Sequence, residues 1–517
     1  MTPILTVLTA IPAVGAVIAL LAGNRTNAAR GNVARDNVAY IVAMLAAAVS
    51  LAVSLWVWLS IGADGAMKFV ERADWVPGLG IEYHLGVDGL GALMLLLSAI
   101  VSLMAIAASR KVAQQPGLYF ALILLLESGL FGTFTALNFF HWFLFWELSL
   151  IPAFFLIKLW GGEGRGAAAT QFFVYTMVGS VGLLLAFLAL YLATGSMDFE
   201  VLTRMAASGE LVSAIQMHLG PVALWLALAV LLGFAVKVPL MPFHTWLQAT
   251  YSKAPTPVTM LLTGAMSKMG VYGLLRLALP IFGQELAQVR TPLLALATLT
   301  VVAGAWAAVV QKDLKRVFAY SSVNHLGYCL LAIFAVALPG ATSSAQQLSQ
   351  TAALNGVIFQ MFNHGLTAAA IFWFLTLLEE RSGGTLNIDA FGGLRKPAPI
   401  FCGLMGVALF SSLGLPGLNG FVGEFLIFRG VFPLSWAAAS VSVLGLLITA
   451  AVILTVIQRV FSGPLPDRWT SFPDLTTGER LSLAPALVLM AVLGLAPQIV
   501  LGAVNATVTH LLAGWRF

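Results

Sequence analysis

The sequence predicts an all-α polytopic membrane protein of about fourteen transmembrane helices, two of them internally broken. Three observations carry that expectation. The chain is 60% hydrophobic and only 9% charged, with a mean hydropathy of +0.95, which no water-soluble domain of this size has. Apolar stretches of about 20 residues, the length that crosses a bilayer, follow one another from end to end. Within them sit isolated acids, lysines and histidines, several beside a proline or glycine. With so little charge, and with the basic residues spread over connecting segments, nothing points to a nucleic-acid partner; the bilayer is the medium.

The expected spans are 3–22, 38–61, 88–109, 118–136, 138–159, 169–193, 220–247, 255–279, 292–311, 317–338, 351–378, 399–428, 435–460 and 481–512. The first lacks a basic region before it and is followed by Arg25, Arg30 and Arg35, so it reads as a retained span that starts outside. On that choice Arg110, Lys111, Arg165, Lys253, Lys312, Lys315, Arg316, Arg381, Arg395, Lys396, Arg468 and Arg480 join those three arginines in cytoplasmic connections. The outer side receives only Lys68, Arg72, Arg204, Arg290, Arg429 and Arg516. This is the positive-inside asymmetry, and an even number of spans then leaves both termini outside the cytoplasm. Cys329 and Cys402 are isolated in apolar segments and make neither a disulfide framework nor a cluster ligand set.

The breaks are expected in the seventh and twelfth spans. Lys237-Val238-Pro239-Leu240-Met241-Pro242 removes backbone donors, and Leu413-Gly414-Leu415-Pro416-Gly417 with Gly420 needs permissive backbone. Such backbone at membrane depth must face protein or water. The breaks are five helices apart, an odd offset that turns the two copies upside down relative to one another, as in an inverted repeat. Matching broken helices point to an ion site near the membrane midplane.

The intramembrane charges are the candidate site. Each costs about 2.5–3.5 kcal/mol at the bilayer centre, so they need one another or water. Glu147, ahead of Pro152, has no basic neighbour in sequence, and Lys237 is its natural partner from another helix. A carboxylate moving toward or away from a desolvated lysine changes that lysine's proton affinity, which converts pairing into proton uptake or release. Lys268 lies about thirteen residues into its span, too deep to reach an interface easily, with Gly264 and Gly270 leaving room for water or a close helix. His325 and His364, each next to an asparagine, can pass a proton through their two ring nitrogens or serve as buried structural histidines. Glu424 follows the second break and suits either proton exit or stabilisation of a half-helix N-terminus. Two accessories are weaker: Glu127, which can feed Glu147 or pair with a neighbouring subunit, and His244, which can simply cap a broken helix. No histidine spacing resembles a metal site.

Read together, Phe145-Trp146-Glu147-Leu148, Lys237 to Trp246, Lys268-Met269-Gly270, Ala319-Tyr320-Ser321-Ser322 with His325, and Leu413 to Gly417 followed by Gly420-Phe421-Val422-Gly423-Glu424-Phe425 resemble the NuoM-type, or chain 4, antiporter-like subunits of respiratory complex I. The likeness extends from His84-Leu85-Gly86-Val87-Asp88 to Gln458-Arg459-Val460-Phe461. It implies two inverted five-helix repeats, residues 111–285 (helices 4–8) and 286–465 (helices 9–13). A three-helix segment, 1–110, would precede them and a last helix, 466–517, would follow. It further implies proton translocation along Glu147, Lys237, Lys268, His325, His364 and Glu424 within an NADH- or ferredoxin-quinone oxidoreductase. Glu147 and Lys237 would be the coupling pair, Lys268 the central relay and Glu424 the exit. Neighbouring antiporter-like and other membrane-arm subunits are the expected partners; NADH or ferredoxin, flavin, iron–sulfur clusters and quinone would belong to partner subunits, since this chain has neither a dinucleotide fingerprint nor a cysteine cluster. The membrane would be the bacterial cytoplasmic or the thylakoid one. A stand-alone Mrp-like cation/proton antiporter subunit and a variant complex linked to carbon dioxide uptake are the alternative readings. The chain departs from the family pattern at Leu247-Gln248-Ala249-Thr250-Tyr251, where Leu-Pro-Asp-Ala-His is common, and at Asn138, where an aspartate is common; the first departure removes an acid and a histidine from the proton entry side.

Overall fold

A computed structural model describes residues 3–24, 36–112, 114–337 and 343–515. Arg25, Arg30, Arg35 and Arg516, placed above in connections or at a terminus, lie outside the described residues.

The first half runs through α1 (Ile4–Asn24) and α2 (Asp36–Ser60), a hairpin of β1 (Lys68–Val76) and β2 (Ile81–Val87), then α3 (Gly89–Ala108), α4 (Pro116–Thr135), α5 (Phe139–Trp160) and α6 (Arg165–Thr194). Two short helices, α7 (Phe199–Ser208) and α8 (Glu210–Leu219), precede α9 (Ala223–Lys237) and α10 (Thr245–Lys253). The second half comprises α11 (Thr256–Gln288), α12 (Arg290–Val309), α13 (Leu314–Val336), α14 (Ser344–Arg381), α15 (Pro399–Ser412), α16 (Asn419–Leu434), α17 (Trp436–Phe461), α18 (Thr477–Leu495) and α19 (Gln498–Gly514). Twelve of the described helices are long and apolar enough to cross a membrane, or thirteen if the sharply bent α8–α9 pair counts as one span.

Side chains mark where these helices start. Asp88 accepts from Gly91 N–H at the head of α3, Asp313 from Arg316 N–H at the head of α13, and Ser343 and Thr476 form reciprocal capping boxes with Gln346 and Glu479. Small residues then let the backbones close in: a Cβ on Gly264 would meet Gly365 O at 3.2 Å, and one on Gly365 would meet Gly264 O at 2.5 Å, so α11 and α14 touch almost backbone to backbone. The result is a layered bundle. α11, α13 and α14 are buried along almost their whole apolar length, whereas α2, α17 and α18 leave most of theirs outward, with Leu45, Leu59, Leu447 and Leu481 exposed as a lipid-facing surface requires.

Both expected breaks are present. Between α9 and α10 the freed amide of Met241 donates to Thr300 Oγ1 of α12 at 3.0 Å, and Val236 O accepts from Trp246 Nε1 at 3.0 Å. Between α15 and α16 the chain turns through Gly414 (φ 79°) and Gly417 (φ 95°), left-handed values that glycine adopts without strain. Three departures from the expected spans have local causes. The span expected at 255–279 continues to Gln288 through two π-helical turns, Leu262–Met266 and Leu274–Ala278. The span expected at 481–512 is two helices parted at Ala496 and Pro497, because proline cannot supply the next helical donor. The hairpin interrupts an otherwise helical chain: β1 and β2 are antiparallel, with Arg72 opposite His84.

Candidate functional site

Four of the predicted residues form one buried file. Lys268 lies on α11 between the two π-helical turns, a local widening that often marks functional sites. The turn beneath it brings its Nζ to 2.5 Å from Thr263 O and 3.3 Å from Ser267 Oγ. Across the Gly264–Gly365 contact, Nζ is 2.7 Å from His364 Nδ1 on α14. The His364 ring is 5.3 Å, centroid to centroid, from that of His325 on α13. His325 Nδ1 is 3.1 Å from Glu424 Oε1 on α16, and its Nε2 is 3.2 Å from Ser412 Oγ at the end of α15. The four side chains are almost wholly buried.

The second break is laced into this file. Asn363 Nδ2 donates to Asn419 O at 2.6 Å, Asn419 Nδ2 donates to Asn363 Oδ1 at 3.2 Å, Ser411 Oγ donates to Asn419 Oδ1 at 2.5 Å, and Thr367 shares a 3.0 Å hydrogen bond with Ser411. A cavity of about 20 Å³ is lined by His325, His364, Asn363, Ser412 and Glu424. That is room for one water with several polar partners. Glu424 does not cap the start of α16, whose first-turn position is Asn419; it is drawn to His325, and its second oxygen rests over Gly414, where a Cβ would approach within 2.6 Å.

Glu147 and Lys237 are arranged otherwise. Lys237 is the last residue of α9 and is buried, with Nζ 4.7 Å from the centre of the Trp146 ring on α5. That is a cation–π contact. Glu147 is half-buried and its Oε1 has no hydrogen-bond partner. Among the described residues no direct ion pair joins the two; the Lys237 ammonium lies instead over the Trp146 ring. Trp146 is itself fixed by stacking on Trp142 and by donating from Nε1 to Ser180 Oγ at 3.0 Å. Among the described residues no direct hydrogen bond joins Lys237 to Lys268: α9 meets α11 at Gly270, against Val238 and Lys237 Cβ, and at Gly273, against the Phe234 ring, and α5 meets it where Ser149 Oγ donates to Met269 Sδ at 3.6 Å.

The accessories do not join the file. Glu127 on α4 is fully enclosed and both carboxylate oxygens lack a partner, so it does not reach a neighbouring subunit. His244 precedes α10 without making a capping hydrogen bond, and its ring is 6.4 Å from that of Tyr320. Cys329 and Cys402 are single buried thiols on separate helices. Sequence reasoning missed Thr263, Ser322 and Ser412, hydroxyls whose placement beside the file nothing in the sequence distinguishes from ordinary helix serines and threonines; Thr263 and Ser322 share a 3.0 Å hydrogen bond. It also missed the partners of two motif residues: Asp88, bound to Arg276 Nη2 at 2.6 Å, and His84, bound to Asp198 at 2.6 Å.

Residues 136–449, more than half of the chain, match the family model described as NADH:quinone oxidoreductase/Mrp antiporter, transmembrane. The chain belongs to this family. The match contains Glu147, Lys237, His244, Lys268, His325, His364 and Glu424 and leaves Glu127 outside. The chain is 34% identical to NADH-quinone oxidoreductase subunit M of Rhodobacter capsulatus, covering 99% of this chain and 97% of that protein. It is 33% identical to F(420)H(2) dehydrogenase subunit M of Methanosarcina mazei, covering 87% and 88%. Its fold superimposes on a chain of respiratory complex I from Thermus thermophilus with a TM-score of 0.83 and 27% identity, covering 99% of each. Most of the candidate residues lie on the two broken helices and on the long buried α11, α13 and α14 between them.

Proposed function

We propose that this chain is a proton-translocating membrane-arm subunit of a quinone-reducing respiratory complex, and that protons pass along Lys268, His364, His325 and Glu424. One observation carries the reading: a lysine, a histidine pair and a carboxylate from four different helices meet end to end inside an apolar bundle. Packing alone has no use for such a set, since each charge disfavours burial unless it is exchanged or paired. Glu147 and Lys237 act as the electrostatic control. When Glu147 moves toward Lys237 the lysine holds its proton, and when it withdraws the lysine releases it. Driving one charge against 100 mV requires about 2.3 kcal/mol, which a swing of under two pKa units, at about 1.36 kcal/mol each, supplies.

In this reading the chain crosses the membrane about fourteen times, with the broken pairs α9–α10 and α15–α16 as the corresponding members of inverted repeats at 111–285 and 286–465, and with segments 1–110 and 466–517 flanking them. Both termini lie outside the cytoplasm, and the face bearing Lys111, Arg165, Lys253, Lys315 and Arg381 is cytoplasmic. The redox groups, whether they take electrons from NADH, ferredoxin or another donor, belong to partner subunits, and neighbouring antiporter-like subunits flank the chain.

The test is redox-driven proton pumping in vesicles that carry the assembled complex with Lys268→Ala, with electron transfer to quinone followed in parallel. The expected outcome is an assembled complex whose pumping falls at least about tenfold, the equivalent of 1.4 kcal/mol or more. Wild-type pumping by the assembled variant would refute the relay; sodium-for-proton exchange by the isolated chain in liposomes would favour the stand-alone antiporter.

A further inference from the structure

The file described above has an outlet at Glu424 but no described source of protons. α10 carries no carboxylate or histidine between Thr245 and Lys253. The structure supplies a carboxylate from elsewhere. Glu379, near the end of α14, is one-third exposed, accepts a hydrogen bond from Thr256 Oγ1 at the first turn of α11, and lies 3.1 Å from Nζ of Lys315, itself buried and bonded to Ala254 O at 3.3 Å. These groups line a cleft of about 390 Å³ that also holds Lys111, Glu163, Lys253 and Glu380. Of its three carboxylates, Glu380 is paired with Lys111, and Glu379 is the one hydrogen-bonded to α11 among the described residues.

From Thr256 a line of hydroxyls runs along α11 to the relay lysine. Thr259 is one turn on, Thr263 a further turn, bonded to Ser322 at 3.0 Å, and Ser267 lies 3.3 Å from Lys268 Nζ. Twelve residues at 1.5 Å each make the distance from Thr256 to Lys268 about 18 Å, roughly half the thickness of a bilayer's hydrocarbon core. Successive hydroxyls a turn apart are about 5–6 Å from one another, a gap that one water bridges.

We propose that Glu379 is the proton-collecting carboxylate that feeds Lys268 through Thr256, Thr259, Thr263 and Ser267. The transfer balances without any co-reactant: the protonated carboxyl gives its proton to the first hydroxyl or water, each member passes on one proton as it receives one, and the neutral Lys268 amine ends as ammonium. Lys315 is a positioning residue that keeps the carboxylate over the head of α11. This rests on the reading of Lys268 as the relay.

The test uses Glu379→Gln in the assembled complex, with redox-driven pumping measured over a pH series and with added formate as a diffusible weak acid, and Lys268→Ala in parallel. The expected result is a loss of about tenfold that deepens as pH rises and is relieved by formate and by Glu379→Asp. A residue that merely neutralises Lys315 gives a different pattern: the loss is reversed by adding Lys315→Met and is indifferent to formate, which would overturn the proposal. Unchanged pumping in Glu379→Gln with a dead Lys268→Ala would overturn it while leaving the relay intact; normal pumping in both variants would refute the relay and this feed together.

Discussion

Two buried lysines, Lys237 at the first break and Lys268 on α11 beside the second, sit in opposite surroundings. At the first break, Lys237 Nζ lies over the ring of Trp146, which in turn stacks on Trp142 and meets Phe234 edge-on to make an aromatic box, and Glu147 has an unpartnered oxygen. At the second, the amides and hydroxyls of Asn363, Asn419, Ser411 and Thr367 line the turn, and Lys268 joins a continuous run of polar groups to Glu424. A π face stabilises a cation without offering it a proton acceptor, whereas imidazoles and hydroxyls both accept and donate. The surroundings of Lys237 therefore suit holding and biasing charge, and those of Lys268 suit passing a proton on. Between them Ser149 Oγ donates to Met269 Sδ at 3.6 Å and Gly270 packs against Val238 and Lys237 Cβ.

That contrast can be broken in graded ways. The largest separation is expected from Lys268→Ala, which removes the conducting site and leaves the first pair in place, against any single change in the aromatic box. Trp146→Leu, next in size, takes away a contact of about 0.5–2 kcal/mol and should slow pumping severalfold while electron transfer continues; Trp146→Phe, which keeps a ring, should fall between it and the wild type. Equal losses in the two Trp146 variants would show that packing, not the ring's field, is what matters.

The smallest effect is expected outside the membrane-spanning segments, where the hairpin is pinned to α7. Burial acts to raise the pKa of Asp198, but the hydrogen bonds from His84 and from Val201 N–H outweigh it and hold its carboxyl below the usual carboxylate range. Because the folded value is the lower one, this stability is present above the unfolded pKa of about 3.9 and is lost as pH falls through the folded value. Asp198→Asn should lower thermal stability in detergent by about 1 kcal/mol at neutral pH, with the difference from wild type shrinking in acid and pumping little changed. A difference that grows in acid would contradict the assignment.

Much of this was legible in the sequence, for identifiable reasons. Apolar runs of bilayer length give the helices, and Pro239, Pro242, Gly414 and Gly417 give the breaks, because each acts through its own backbone. Lys268, His325, His364 and Glu424 stand out because a charge in an apolar run has no cheap local explanation. Thr263, Ser322 and Ser412 do not, since serine and threonine in a membrane helix usually bond their own backbone one turn back, as Ser322 also does to Phe318 O. Glu379 reads as an ordinary acid at a helix end until α11 is brought against it. The hairpin is not legible because its partner, Asp198, is 114 residues from His84, and the indole of Trp146 that lies against Lys237 is invisible to an argument from charge alone.

The most direct measurement of the contrast is the proton-to-electron ratio of the assembled complex carrying His364→Leu, which cuts the file at its middle and leaves Glu147, Trp146 and Lys237 in place. The account predicts a ratio as low as that of Lys268→Ala with the complex still assembled; a wild-type ratio would show that protons do not travel from Lys268 to Glu424 through the histidine pair.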